Sequence, residues 1–221
     1  MHIPDAFIPL PQAALYWIIA CIFILLALRW SRNEMHEENI PLIAVLAAGI
    51  FAMQAFNLPV GMGTSGHLAG GALAAIVLGS PYAAVFVLTI VLIIQGVIFG
   101  DGGITTMGAN IIILGVIGGF VGYYGYMGLK KITKQMYISA AIAAWAACFI
   151  SALVCALMLA IAGTFPPEAV VPGMIAMGVY HAVIGIIEGI ITAGALRLIL
   201  QARPDIIPDC ITNFGKVEKS I

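Results

Sequence analysis

Charge is what this sequence has least of. Lys, Arg, Asp and Glu together make up 9% of its 221 residues, against about 25% in a soluble domain, which must keep a solvated face. That excludes a water-soluble enzyme and a disordered chain. A basic excess is also missing: nine Lys and Arg stand against ten Asp and Glu, whereas a nucleic-acid binder carries a surplus of positive charge. The four cysteines form no CxxC pair and no metal-ligand spacing. Cys21, Cys148 and Cys155 lie in apolar runs, where cysteine behaves as a small hydrophobe. No Gly-rich loop ending in Lys-Ser/Thr is present to bind ATP, and no HExxH pair to serve a membrane-embedded metalloenzyme. A retinal protein would need a lysine in the last apolar segment, whose basic residue is Arg197. What is abundant is apolar surface. Hydrophobic residues make up 62% of the chain and the mean hydropathy is +1.12. The chain is read as an all-α integral membrane protein in a lipid bilayer.

Seven apolar segments follow one another at roughly 11–30, 41–57, 66–79, 82–99, 106–129, 135–163 and 171–200, each ended by Pro, Gly or charge. Most have the ~20 residues a helix needs to cross ~30 Å of hydrocarbon. The third would rise only ~21 Å, so it is expected to start below the membrane surface, reached by the loop 57–66. Non-helical backbone at that depth is tolerated where protein buries it or it lines a cavity. Residues 1–203 are read as one seven-helix domain and 204–221 as a short polar tail. The first thirty residues lack a basic start and a small-residue cleavage site, so the N-terminus is expected to be retained. All nine basic residues fall at three places: Arg29 and Arg32, Lys130, Lys131 and Lys134, and Arg197 onward. With seven crossings these share one side, which the positive-inside rule makes cytoplasmic. The N-terminus then lies outside, and the C-terminus in the cytoplasm.

Strongly polar groups inside membrane segments are functional candidates, and here they sort by depth. His2 and Asp5 lie in the outer N-terminal segment. Thr64, Ser65 and His67 stand at the outer start of segment three, Gln95 near the outer end of segment four, Asp101 in the outer loop and Asn110 at the outer start of segment five. A free Met1 amine, the His2 amide and the His2 imidazole form fused chelate rings in one plane, and a planar nitrogen set suits Ni2+ or Cu2+. His67 is the other histidine on that side, as a fourth ligand or as a hydrogen-bonding residue between helices. His181 and Glu188, seven apart and so nearly on one helix face, are read as an interhelical hydrogen-bonding pair or a relay. The ~15 Å rise to His181 puts it too deep to share the layer of His67. His36 lies among Glu34, Glu37 and Glu38 and is read as solvated. Ala44, Ala48 and Ala52 form a small-residue ridge that lets helices approach closely.

Four stretches carry a resemblance: Met1-His-Ile-Pro-Asp5, Gly63-Thr-Ser-Gly-His-Leu68, the run from Gln95 to Asn110, and His181-Ala-Val-Ile-Gly-Ile-Ile-Glu-Gly189. Together they resemble the CbiM/NikM family, the substrate-capturing (S) components of energy-coupling-factor transporters for cobalt or nickel. The resemblance implies seven membrane helices with the N-terminus inserted into the bundle. It implies a metal held by the Met1 amine, the His2 amide and imidazole, and the His67 imidazole. It further implies a membrane T subunit, cytoplasmic ATPase (A) subunits that bind the ATP, and a small accessory membrane protein. One departure stands out: Ala6 occupies a position where the family often has Gly.

The function read from this is capture of Ni2+ or Co2+, as transported ligand, for an ATP-driven importer in the cell membrane. Asp5, Thr64, Ser65, Gln95, Asp101 and Asn110 would orient the ligands. Deprotonating the His2 amide is easier with Ni2+, which places nickel ahead, while the family's use in cobalamin synthesis argues for cobalt. An S component for a small organic vitamin is the nearest alternative, and it would not need a free Met1 amine.

Overall fold

The computed structural model describes residues 1–61 and 64–212. Gly63, part of the second family-like stretch, and the tail beyond Thr212 lie outside the described residues. Five helices are long and apolar enough to cross a membrane: α1 (Leu10–Glu34), α4 (Pro81–Phe99), α5 (Met107–Thr133), α6 (Met136–Ile161) and α7 (Pro167–Ala202). Two shorter helices join them, α2 (Ile40–Gln54) and α3 (Gly71–Leu78). Each of these helices overlaps one of the apolar segments marked in the sequence, with α1, α5 and α7 running past the bounds read there. The third differs most. It is helical over only eight residues, a rise of ~12 Å, and the chain before it forms an antiparallel hairpin of β1 (Leu58–Gly61) and β2 (Thr64–Gly66).

Small residues build the interior. Along α1 the buried positions are Ala13, Ala20 and Ala27, while Leu15, Ile18, Ile22 and Leu25 point outward. The inward face of α6 is Ser139, Ala140, Ala143, Ala144, Ala147, Cys148, Ser151, Ala152, Cys155 and Ala156. Without a hydrophobic driving force between helices in lipid, such faces pack by close backbone approach. Gly185 and Gly189 of α7 do this against Trp145 and Ala141 of α6, where a Cβ on Gly189 would come 2.6 Å from the Ala141 carbonyl. The ridge Ala44, Ala48, Ala52 faces away from the interior.

Local chemistry sets the boundaries that position the site. Gly79, at φ 70°, ends α3, and Ser80 then caps α4 by accepting from the Tyr82 amide at 3.2 Å. The end of α4 widens into a π turn over Gln95–Phe99, and α5 carries another over Ile111–Ile117. These two irregularities flank the loop 100–106, and π turns recur at functional sites. At the opposite end of the bundle, part of the expected polar tail folds back. Lys130, read from sequence as a loop cation, is buried; its Nζ donates to the carbonyls of Cys210 (3.1 Å) and Ile211 (2.6 Å). The Tyr126 hydroxyl donates to the same Ile211 carbonyl at 2.8 Å. A short helix, α8 (Asp209–Thr212), is held there. The fold-back has a simple cause: Ile207 and Ile211 bury against the bundle, which a count of polar residues in the tail does not reveal.

Candidate metal site at the buried N-terminus

The first residues of the chain are core residues. Met1 and Ile3 are each 1% exposed, and His2 is buried between them. A terminal amine inside a protein must find a partner, and Met1 N donates to the Ser65 carbonyl at 2.6 Å, with Ser65 Oγ at 3.5 Å. Ile3 is pinned on both sides of its backbone. Its amide donates to Asn110 Oδ1 (2.8 Å), and its carbonyl accepts from Thr106 Oγ1 (2.5 Å), Asn110 Nδ2 (3.1 Å) and the Gly103 amide (3.1 Å). The Cys155 thiol lies 3.6 Å from the Met1 carbonyl. Residues 1–3 are thereby held as an extra strand of chain threaded among the hairpin, the 100–106 loop, α5 and α6.

The two histidines meet here. The rings of His2 and His67 lie 4.3 Å apart between centroids, tilted by 47°. His67 Nδ1 is 2.8 Å from the Leu68 carbonyl, so it carries the proton and leaves Nε2 as an acceptor. The Nε2 atoms of His2 and His67 have no hydrogen-bond partner among the described residues. His2 Nδ1, the ring nitrogen that closes a six-membered ring with the residue's own amide, faces Asp101 Oδ1 at 3.1 Å. Asp101 is held back in turn, its amide donating to the Gln95 carbonyl at 2.9 Å. A cavity of about 10 Å3, near the space of one water-sized sphere, is lined by Met1, His2, Thr64, Ser65, Cys155 and Met177 among others. Burial lowers the Met1 amine from 8.0 to about 5 and lowers His2 below its ordinary value. Burial thus favours the neutral, lone-pair-bearing form of both groups.

Asp5 sits apart from these nitrogens. Its carboxylate accepts from the Ile104 amide (3.1 Å), the Thr105 amide (2.8 Å) and the Thr105 hydroxyl (2.5 Å). The Thr105 hydroxyl leads in holding it below the usual carboxylate range. Its place is thus to tie the N-terminal segment to the turn before α5. Gly103 lies so close that a Cβ there would collide with Asp5 and Thr106. Ala6 follows with φ 69°, the left-handed region that glycine favours.

His181 and Glu188, read together from the sequence, make separate bonds. His181 does share the neighbourhood of His67: a Cβ on Gly66 would stand 3.3 Å from its Cε1. Its Nδ1 is bonded within its own helix, to Met177 O at 2.8 Å, not to another helix. Glu188 alone crosses between elements, accepting the Ala69 amide at Oε2 (2.7 Å) and the Gly70 amide at Oε1 (2.9 Å). From the other side Gln54 Nε2 donates to the Ala69 carbonyl at 2.7 Å. The segment just after His67 is therefore clamped from α2 and α7. Sequence reasoning missed Thr106, Cys155, Met177 and Gln54. Thr106 stands inside the family-like run, whereas the others carry no local signal.

The fold is shared with a crystal structure described as a truncated transition metal transporter. It superposes with a TM-score of 0.87 at 29% identity, covering 91% of this chain and 99% of that one. A second, of a transition metal transporter, gives 0.86 over 93% and 95%. The class is thus a membrane protein of transition metal transport. Residues 2–206 match the model of the CbiM family, described as the cobalt uptake substrate-specific transmembrane region, and the chain belongs to that family. A protein of Haloquadratum walsbyi named for metal transport is 44% identical over 209 residues, 94% of this chain and 93% of that one. The cobalt transport protein CbiM of Sorangium cellulosum is 30% identical, covering 94% of each. The fused nickel transport protein NikMN of Rhodobacter capsulatus is 31% identical over 94% of this chain and 64% of its own length.

Proposed function

We propose that this chain is the substrate-capturing component of an ATP-driven importer of Ni2+ or Co2+, and not itself an enzyme. The ion is bound from outside in a square-planar nitrogen site. Its ligands are the Met1 amine, the deprotonated His2 amide, His2 Nδ1 and His67 Nε2, a set whose planarity suits Ni2+. Asn110, Thr106 and Ser65 fix the path of residues 1–3. Asp101 orients the His2 ring and yields Nδ1 to the ion. Seven segments cross the cell membrane, the third of them as the hairpin followed by the short α3, with the N-terminus outside and Lys130 and residues 204–212 on the cytoplasmic face. ATP is hydrolysed by separate A subunits acting through a membrane T subunit, with a small accessory membrane protein alongside.

One observation carries this reading: an α-amine buried beside two histidine rings 4.3 Å apart. The Ser65 carbonyl takes one bond from that amine, and the amine's lone pair remains for a ligand bond that requires the chain terminus itself. The test compares metal content of the purified chain, its terminus confirmed by N-terminal sequencing, with a variant bearing one extra residue before Met1. About one Ni2+ or Co2+ per chain, lost on extension, supports the chelate. Equal metal in both refutes it, and no metal in either favours a vitamin carrier.

A further inference from the structure

His67 and His181 are set up alike. In each ring Nδ1 lies 2.8 Å from a backbone carbonyl, that of Leu68 in one and that of Met177 in the other. A carbonyl only accepts, so both rings are fixed with the proton on Nδ1 and the lone pair on Nε2. This is the outer hydrogen bond that metal-ligating histidines characteristically make. Both Nε2 atoms are buried without a hydrogen-bond partner among the described residues, and the two residues are 1% and 0% exposed. A buried histidine with no ligand to bind would ordinarily join two helices through that second nitrogen. Among the described residues, the side-chain bond of His181 goes to its own helix.

The two rings are also neighbours through Gly66. A Cβ at that position would lie 3.3 Å from His181 Cε1 and 2.7 Å from Ile184 Cδ1, so glycine is what lets α7 press against the strand that leads into His67. Met177, one turn before His181, lines the cavity at the N-terminus.

We propose that His181 is a second imidazole position for the transported ion, taken up when the ion leaves His67. This rests on the capture site described above. The exchange balances simply. The bond from the ion to His67 Nε2 breaks and one to His181 Nε2 forms, both rings keep their Nδ1 proton, and no electron moves. The ion thereby passes from the hairpin-linked segment to α7.

The experiment uses Cu2+ as a probe in the full chain with its native terminus, and counts coordinated imidazoles by pulsed EPR from the remote ring nitrogens. Wild type and His181→Ala are expected to show two imidazoles. His67→Ala is also expected to show two, because His181 replaces the missing ring, and the double variant one. His67→Ala showing one imidazole, or losing copper while still folded by its melting curve, overturns the proposal. Where alanine prevents folding, His67→Asn repeats the measurement. A wild type that holds no copper, or one imidazole only, counts instead against the capture site.

Discussion

Ala6 is the residue where the backbone works against its side chain. At φ 69° an L-residue with a Cβ is disfavoured by ~1–2 kcal/mol, and the neighbouring Asp5 contacts to Ile104 and Thr105 over-determine the turn. Ala6→Gly is expected to stabilise the chain by about 1 kcal/mol, net of the flexibility it adds to the unfolded state. A rise in the thermal midpoint in detergent checks this. Met1 makes a separate prediction. Its amine is lowered from 8.0 to about 5 by burial, so between pH 5 and pH 8 the unfolded chain binds more protons there than the folded one. Stability then rises with pH across that window: the contribution is complete above pH 8 and lost as the pH falls through about 5. Melting curves of metal-stripped protein should show this slope, and acetylating the terminus, which removes the titrating group, should flatten it.

Among the elements, the contact between α7 and the segment entering α3 is the one that holds the backbone next to His67. Glu188 receives two amides there, and glutamine offers a single carbonyl oxygen, leaving one N–H facing an NH2 group. Such a loss costs about 1–3 kcal/mol, and disturbing groups that orient a ligand typically costs about 10–100-fold in metal affinity. Glu188→Gln is therefore expected to weaken Ni2+ binding about 10–100-fold in a chelator-competition titration. A lower melting point with unchanged affinity would reduce Glu188 to a packing role. The apolar runs marked α1 and α4–α7 plainly, because lipid imposes both their composition and their length. The site was legible as residue types: Met1, His2, His67, Asp101 and Asn110 do converge. The hairpin at 58–66 and the π turns at 95–99 and 111–117 left no pattern, since tertiary packing and not periodicity selects them. The nearness of His181 to Gly66 left no pattern either: a rise counted along one helix cannot register where an opposing segment packs against it.

For the whole molecule, the orientation is open to a direct test. In a chain whose Cys21 and Cys210 are replaced by Ser, a cysteine at the exposed Ile104 is expected to react with a membrane-impermeant maleimide on intact cells. A cysteine at the exposed Lys131 is expected to react only after permeabilisation. The reverse pattern would invert the proposed topology. The bundle also has a buried beginning: Met1 is enclosed by residues as distant in sequence as Ser65 and Cys155. Those contacts span 64 and 154 positions of sequence, so the pocket around Met1 closes only when the hairpin and α6 have both docked, and non-local contacts of that kind form late because chain closure has to come first.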